Sequence, residues 1–235
     1  NEFKYVSFPI FFWTSIVCGL IALQPNFSSS SVVLFVVITL LLVGSVKLKH
    51  IFWFGITSIC LAGIFAVSAE YRLNRLTSFF NALTSNPSDV NYQGTQALIA
   101  FGNGGFWGLG PGQSRQSQLF LPESYGDFIF AIIGEEYGFL GLLGLLLLFS
   151  FILYKIYKVA KTAPDRFGFL LASGIFLLIS FYTIINAMVN IGFLPTTGLP
   201  MPFISYGGSA IIIYGISIGI ILNISSYRLI DQNET

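Results

Sequence analysis

The sequence predicts an all-α, polytopic helical membrane protein, and three observations lead to that fold class. Hydrophobic residues make up 54% of the 235 residues and charged residues only 9%, against about 25% charged residues in ordinary soluble domains. Several apolar runs approach the roughly 20 residues that a helix needs to cross a ~30 Å hydrocarbon core. The basic residues also favour one side of the resulting topology. Their scattering and the net charge of +1 give no basis for nucleic-acid binding.

Apolar runs between turn-forming residues predict six membrane segments in one domain that covers 1–235. Their expected bounds are 8–24, 29–46, 51–69, 127–155, 167–191 and 207–229. The polar stretch LQPNFSSSS separates the first two, which are barely long enough to span, and this predicts a tilted hairpin. The N-terminal NEFKYVSF has neither an initiator Met nor a signal-peptide pattern. We therefore expect the chain to begin partway through a longer protein.

The positive-inside rule sets the orientation of these segments. With the N-terminus inside, eight of the 11 basic residues fall on the cytoplasmic side, and only Arg72, Arg75 and Arg115 fall outside. This topology makes 70–126 a long extracytoplasmic loop and 192–206 a second loop on the same side. The first loop contains GNGGFWGLGPG, whose composition predicts ordered backbone that packs or dips into the membrane interface.

Cysteine and histidine usage excludes two kinds of site. Cys18 and Cys60 both lie in apolar stretches, and His50 is the single histidine. This excludes a disulfide framework and a Cys/His zinc site. The glycine-rich GNGGFWGLGPG lacks the Gly-Lys-Ser/Thr ending of a P-loop and no strand precedes it, so a nucleotide site is also rejected. The sequence assigns no metal ligand.

An acidic stretch, LPESYGDFIFAIIGEE, lies where the long loop enters the fourth segment. Glu123 and Asp127 straddle the predicted helix start. Asp127 fits an N-cap, which would stabilise the helix by about 0.5–2 kcal/mol. It also fits a general base for a substrate whose lipid tail lies in the bilayer. Local pattern alone leaves both interpretations open.

Polar residues deeper in the segments have two interpretations each. Burying Glu135 or Glu136 unpaired would cost at least ~2.5 kcal/mol, so at least one is expected to face the bundle interior and a partner. Thr183, Asn186 and Asn190 recur at helical spacing and predict either interhelical hydrogen bonds or a water-filled cavity. The three outer arginines either bind an anion such as phosphate or extend to lipid headgroups.

Three blocks of the sequence resemble hallmark motifs of the SEDS family (shape, elongation, division and sporulation), in the family's order and at compatible spacing. They are YQGTQALIAFGNGGFWGLGPGQS, LPESYGDFIFAIIGEEYGFLG and NIGFLPTTGLPMPFISYGGSA. The first block is closer to the division-type than to the elongation-type members. The resemblance implies a fold of ten spans, of which these six would be the C-terminal part.

The resemblance implies a peptidoglycan glycosyltransferase that polymerises lipid II during cell division and releases undecaprenyl pyrophosphate. It implies the bacterial inner membrane as the location, with a site facing outside the cytoplasm. Its partners would be a class B penicillin-binding protein, acting as transpeptidase, and other membrane proteins of the division machinery. The family's essential aspartate corresponds to Asp127, although many members have His-Thr where this chain has Tyr125 and Gly126.

Further site residues follow from the same motifs and from charge. Glu123 would assist Asp127, and either the arginines or a divalent cation, Mg²⁺ or Mn²⁺, would neutralise the leaving pyrophosphate. The expected substrate-binding residues are Arg72, Arg75, Arg115, Tyr92, Gln93, Gln96, Asn190 and Ser205. Two rival functions stay open: a lipid II flippase with its path lined by the buried polar residues, and a non-catalytic scaffold for the transpeptidase.

Overall fold

A computed structural model describes residues 8–24, 26–67, 70, 73–74, 77, 79 and 92–233, and within these residues all regular secondary structure is helical. The all-α prediction is therefore confirmed. The helices are α1 (Phe8–Leu23), α2 (Phe27–Val43), α3 (Leu48–Val67), α4 (Tyr92–Gly104), α5 (Arg115–Leu119), α6 (Ile129–Lys161), α7 (Arg166–Asn190) and α8 (Gly208–Asn233).

Six of these helices coincide, within a few residues at most ends, with the six predicted membrane segments. Among the described residues, three helical stretches are long and apolar enough to cross a membrane: Ile129–Lys161, Arg166–Asn190 and Gly208–Tyr227. Three further apolar stretches, Phe8–Leu23, Phe27–Val43 and Leu48–Leu61, are shorter. Their membrane crossing stays a prediction. The chain is nonetheless a multi-pass membrane protein, since three long apolar helices are present.

The chain divides into two compact units. The first comprises 1–69, 156–181 and 219–235, and the second comprises 70–155 and 182–218. In the first unit, the predicted hairpin is present: α1 packs on α2, and the Ser30 hydroxyl donates to the Cys18 carbonyl at 3.0 Å. Asn26 caps α2 by accepting a hydrogen bond from the Ser29 amide, as expected for an asparagine at this position.

The second unit contains an interruption in α6 that the sequence analysis did not anticipate. Gly138 has φ 65° and ψ −165°, which is not helical, so the single span predicted over 127–155 is instead two helical pieces. A break of this kind leaves carbonyls before it and amides after it without intrahelical partners. Such groups must be paired elsewhere when they are buried.

The glycine-rich segment after α4 supplies those partners through its backbone. The amides of Leu109 and Gly110 donate to the carbonyls of Glu135 and Glu136, both at 2.9 Å. In the other direction, the Phe139 amide donates to the Gly105 carbonyl at 3.0 Å. Residues 104–110 therefore dock on the broken helix main chain to main chain, which is the setting in which irregular backbone is tolerated in membrane proteins.

Glycine is required at this junction because the two backbones approach closely. A Cβ at Gly108 would lie 2.2 Å from the Glu136 carbonyl oxygen, and one at Gly138 would lie 2.4 Å from the Gly108 amide nitrogen. Both residues also have positive φ, 81° and 65° respectively, a region that side chains disfavour. The glycines of GNGGFWGLGPG thus serve chain packing at this point.

Candidate functional site

Asp127 lies in a tight turn immediately before α6, in the second unit, with its side chain half-buried. The amides of Gly126 and Asp127 both donate to the Glu123 carbonyl, at 3.0 and 3.2 Å. Glu123 itself has φ 55°, a left-handed conformation that is uncommon for a residue with a side chain. The turn is therefore closed by its own main chain and presents Asp127 at its end.

Two asparagines of α7 form hydrogen bonds to this turn. The side-chain amides of Asn186 and Asn190 both donate to the Asp127 carbonyl, at 2.8 and 3.0 Å. Asn190 also accepts from the Ala131 amide at 3.1 Å, at the start of α6. Both asparagines are almost completely buried, at 1% and 0% exposure. The hydrogen-bonding interpretation of the polar residues on α7 is thus confirmed for these two.

The second loop, predicted over 192–206, also forms hydrogen bonds to the turn. The Ser205 hydroxyl donates to the Gly126 carbonyl and accepts from the Met201 amide, both at 2.6 Å. The Tyr206 amide donates to the Tyr125 carbonyl at 2.8 Å. Asn186 reaches this loop as well, because its amide donates to the Leu199 carbonyl at 2.8 Å. Hydrogen bonds from α7 and from the loop therefore converge on 125–127.

The Asp127 carboxylate faces Gly198 of this loop. A Cβ built on Gly198 would lie 3.5 Å from Asp127 Oδ2, and Gly198 has φ 71°. No side chain projects from the loop at this point, so its backbone passes beside the carboxylate. The backbone at Gly198 therefore forms one wall beside the Asp127 carboxylate.

A depression of about 350 Å³ adjoins the turn. Its lining residues are Glu123, Ser124, Tyr125, Gly126 and Tyr206. Among them Glu123 is the charged residue, and its side chain is exposed. A carboxylate at this position can accept hydrogen bonds from a ligand's hydroxyl groups, whereas it repels an anion.

Glu135 belongs to a separate polar cluster. Its side chain is fully buried and accepts hydrogen bonds from Asn103 at 3.0 Å, Ser114 at 2.5 Å and the Gln116 amide at 3.1 Å. The prediction that at least one of the paired glutamates faces a partner inside the protein is confirmed for Glu135. Its partners hold the segment between α4 and α5 against α6, which is an anchoring role.

The other predicted site residues are distributed as follows. Arg72 and Arg75 lie outside the described residues. Arg115 is exposed at the first position of α5. Tyr92, Gln93 and Gln96 lie in the first two turns of α4, with Tyr92 exposed and both glutamines half-buried. Their contact with a substrate stays a prediction.

Asn190 and Ser205 were also expected to bind substrate, and that contact likewise stays a prediction. The structure shows both residues buried, with side chains bonded to the main chain of the Asp127 turn. Among the described residues, no group of three or more His, Cys, Asp or Glu side chains could hold a metal ion. A divalent cation therefore also stays a prediction.

Sequence reasoning missed Gly198 and Tyr206 as site residues. Gly198 is more than 70 positions from Asp127 in the chain, and its signal was the PTTGLP context, which indicates a shaped turn. Tyr206 follows Ser205 in ISYGG, where the paired glycines indicate a chain reversal. Neither pattern indicates which distant residue the loop contacts.

Comparison with known proteins gives a consistent result. A family model described as "Cell cycle protein", which covers FtsW, RodA and SpoVE, matches residues 1–229. A probable peptidoglycan glycosyltransferase FtsW of Nitrosomonas europaea is 39% identical over 219 residues, covering 92% of this chain and 56% of that protein. Stage V sporulation protein E of Bacillus subtilis is 38% identical over 208 residues, covering 88% of this chain and 57% of that protein.

Solved structures show the same likeness. A chain from a study of how a peptidoglycan synthase complex coordinates polymerization and crosslinking has a TM-score of 0.71 at 26% identity, covering 92% of this chain and 60% of that one. The rod shape determining protein RodA of Thermus thermophilus has a TM-score of 0.55 at 27% identity, covering 89% and 53%. The chain thus spans little more than half the length of the curated relatives described above.

Proposed function

The chain belongs to the cell cycle protein family of FtsW, RodA and SpoVE, and on that basis we propose that its protein is a peptidoglycan glycosyltransferase that polymerises lipid II during cell division. The observation that carries the proposal is the Asp127 turn. Its main chain is held by Asn186 and Asn190, and its carboxylate lies beside Gly198. Asp127 also directly follows Gly126, which lines the depression, and a carboxylate positioned next to an open depression is suited to general base catalysis.

In the proposed reaction, Asp127 takes the proton of the 4-hydroxyl of the acceptor's N-acetylglucosamine. That oxygen forms a bond to the anomeric carbon of the donor's N-acetylmuramic acid. The bond from this carbon to the pyrophosphate oxygen breaks, and undecaprenyl pyrophosphate leaves. A carboxylate is too weak a base to remove the proton beforehand, so the transfer accompanies bond formation and contributes about 10²–10⁴-fold.

Charge on the leaving group needs a separate stabiliser. Glu123 and Asp127 are both acidic, so the pyrophosphate is proposed to lie away from the depression, near basic residues. Arg115 is exposed on α5, and Arg72 and Arg75 lie in the same loop of the sequence. Either these arginines or Mg²⁺ or Mn²⁺ supplies the positive charge that the departing oxygens require.

The proposed location is the bacterial inner membrane, with the Asp127 turn outside the cytoplasm. The distribution of basic residues supports this orientation. The proposed partner is a class B penicillin-binding protein, which supplies the transpeptidase. One similar structure comes from a complex whose described work is polymerization and crosslinking, which supports a pairing of these two activities.

The flippase alternative has less support. It assigned the transport path to Glu135, Glu136, Asn186 and Asn190, yet all of these side chains except the half-buried Glu136 are buried and bonded to protein groups. A path for a charged headgroup requires polar groups that exchange protein partners for substrate. Asn186 and Asn190 instead stabilise the Asp127 turn, and Glu135 anchors the segment between α4 and α5.

The test uses the complete protein, purified and supplied with lipid II, with glycan strands separated on a gel. We expect polymer from the native protein and none from Asp127→Asn. Asp165→Asn is the matched control, because Asp165 is an exposed acid in the other unit that caps α7 through the Gly168 amide. Transport of lipid II in proteoliposomes without polymer would instead identify a flippase. Polymer from Asp127→Asn at the native level would contradict the catalytic role.

A further inference from the structure

The depression beside the turn has two aromatic side chains that the proposed mechanism does not use. Tyr125 is 58% exposed and Tyr206 is 87% exposed, and both line the depression together with Glu123, Ser124 and Gly126. Resting on the proposed function, we propose that this depression is the subsite for the acceptor's sugar ring, with Tyr125 and Tyr206 as the aromatic surfaces that bind it.

The backbone of the depression is ordered before a ligand binds. The Tyr206 amide donates to the Tyr125 carbonyl at 2.8 Å, and the neighbouring Ser205 hydroxyl donates to the Gly126 carbonyl at 2.6 Å. The backbones of the two tyrosines are therefore hydrogen-bonded to each other before any ligand binds. A ligand that binds there does not have to order the loop, which lowers the entropic cost of binding.

The two tyrosine side chains have the chemistry to bind a sugar ring. Tyrosine offers a large, rigid surface with a polar tip and few rotatable bonds. The electron-rich face of its ring attracts the weakly positive C–H groups on the face of a pyranose. The phenol hydroxyl, as donor and acceptor, matches the hydroxyl and acetamido groups at the ring's edge.

The charge of the depression favours the sugar over the pyrophosphate. Glu123 is the charged residue of the lining, and a Cβ on Gly126 would lie 3.4 Å from its Oε2 atom. The carboxylate therefore lies over the turn, where it can accept hydrogen bonds from sugar hydroxyls. It would repel two phosphates. A neutral ring is consequently the part of lipid II that fits.

The depression lies next to the proposed base. Gly126 lines the depression and directly precedes Asp127 in the chain, so a ring bound there is adjacent to the proposed base. Glu123 keeps a left-handed backbone, with φ 55°. Strain of this kind persists at ligand sites where surrounding contacts maintain it. The subsite therefore serves the sugar whose hydroxyl is deprotonated.

The test compares two ligands that share a lipid tail and pyrophosphate but differ in the disaccharide and the peptide attached to it. Binding of lipid II and of undecaprenyl pyrophosphate to the complete protein is measured for Tyr125→Ala, Tyr206→Ala and Tyr206→Phe. We expect each alanine variant to lose about 5–10-fold in affinity for lipid II, with undecaprenyl pyrophosphate changed by less than about twofold. Tyr206→Phe keeps the ring and should stay within about threefold of native affinity.

Two controls keep the outcome interpretable. Tyr154→Ala removes a tyrosine that is also 58% exposed but lies on α6 away from the turn in sequence, and it should leave both affinities unchanged. Tyr206→Leu keeps an apolar side chain without an aromatic face, and it serves if Tyr206→Ala does not fold. It should lose lipid II affinity as the alanine variant does.

The results separate this inference from the proposed function. Native affinity for lipid II in Tyr206→Ala or Tyr206→Leu would overturn the subsite, even in a protein that polymerises. An equal loss for both ligands would also overturn it. A selective loss for lipid II in a protein that makes no polymer would support the subsite while the proposed function fails.

Discussion

The position of Asp127 is set through its main chain. Its carbonyl accepts two asparagine amides, and its amide donates to the Glu123 carbonyl. A change confined to the carboxylate therefore leaves these hydrogen bonds available. For this reason substitutions at the carboxylate can separate chemistry from folding at this site.

Gly198 provides a residue-scale prediction, because its backbone passes beside the Asp127 carboxylate. Gly198→Ala adds a Cβ 3.5 Å from Asp127 Oδ2 and forces a side chain into φ 71°. We expect the free energy of unfolding to fall by about 1–2 kcal/mol. Polymerisation should fall by roughly 10–100-fold, since small displacements of a catalytic group are costly. Glycan synthesis and thermal unfolding are measured together.

Gly215→Ala is the matched control for Gly198→Ala, because a Cβ at Gly215 meets nothing within 4 Å and its φ is not in the positive region. It should keep native activity and slightly raise stability, as alanine favours helix. If Gly198→Ala polymerises at the native rate, the loop does not constrain the carboxylate as the structure indicates.

Individual residues of the site differ in how far sequence could predict them. Asp127 was identified through family motifs, and local pattern alone could not choose between a cap and a base. Asn186 and Asn190 were identified by their spacing on one helix face, and the structure shows what they bond. Gly198 and Tyr206 were missed because their importance comes from contacts with residues some 70–80 positions earlier, which no local pattern encodes.

At the scale of elements, the break in α6 organises the second unit. The carbonyls and amides released at Gly138 pair with residues 104–110, so the loop and the helix depend on each other. Periodicity could not reveal this, because the apolar run continues across the break and glycine is common in membrane helices. The glycine-rich segment was correctly expected to be ordered, but its partner was not foreseen.

A substitution at Gly108 tests whether residues 104–110 and the broken helix α6 depend on each other. Gly108→Ala would place a Cβ 2.2 Å from the Glu136 carbonyl oxygen at φ 81°. Overlap costs about 1–3 kcal/mol and the left-handed backbone about 1–2 kcal/mol more. We expect a clear fall in the thermal unfolding midpoint and loss of amide-exchange protection at Leu109 and Gly110.

Gly102→Ala in the preceding helix is the control for Gly108→Ala, since a Cβ there meets nothing within 4 Å. This variant should match or exceed native stability. Unchanged exchange at Leu109 and Gly110 in Gly108→Ala would show that the loop does not dock on α6 as described.

Glu135 anchors the segment between α4 and α5 by a separate mechanism. Glu135→Ala would leave the donors of Asn103, Ser114 and Gln116 without their acceptor. Ser114 and Gln116 are buried, and each buried unpaired donor costs about 1–3 kcal/mol, whereas the exposed Asn103 can bond to water. We therefore expect destabilisation and faster proteolysis between 105 and 120. Glu136→Ala, at a half-buried side chain, should have the smaller effect. Equal stability of the two variants would contradict the anchoring role.

For the whole molecule, the break also bears on where the membrane lies. The piece of α6 from 139 to 161 has a length of roughly 34 Å at 1.5 Å per residue, which alone crosses a ~30 Å hydrocarbon core. Its side chains from Leu143 to Phe151 include many exposed apolar groups, as expected for a lipid-facing surface. We therefore expect the break to lie at one membrane interface. Glu135 would then lie near that interface, whereas the sequence analysis places it inside the span, and its depth stays a prediction.

Aromatic residues at the break lead to a whole-molecule prediction. Trp107 is 78% exposed, and the nearby rings of Phe106 and Phe139 stack with centroids 5.7 Å apart. Tryptophan favours the headgroup level of a bilayer. With Trp13, Trp53 and any tryptophan in the rest of the complete protein replaced by Phe, we expect Trp107 fluorescence in vesicles to be quenched most by lipids brominated near the headgroup.

Two results would contradict an interfacial Trp107. Strongest quenching by lipids brominated near the chain terminus would place the break deep in the bilayer. Absence of quenching would place the loop in water or under a protein partner. A single-Trp protein that keeps Trp53 instead, on apolar helix α3, gives the comparison for a side chain on a predicted span.

Composition and charge were sufficient to predict the fold class and the multi-pass character of the whole chain. Composition predicts these features because a helix that is surrounded by lipid must be apolar along its length. They could not predict the division into two compact units or the junction at Gly138. Those features arise from close backbone contacts between distant segments.

The central claim is that Asp127 is the general base of glycosyl transfer, and single-turnover kinetics of the complete protein with lipid II test it most directly. For Asp127→Asn, the account predicts a rate of glycosidic bond formation lower by about 10²–10⁴-fold, with lipid II affinity within about twofold of native. A rate within tenfold of native, in a variant that binds lipid II normally, would contradict the claim.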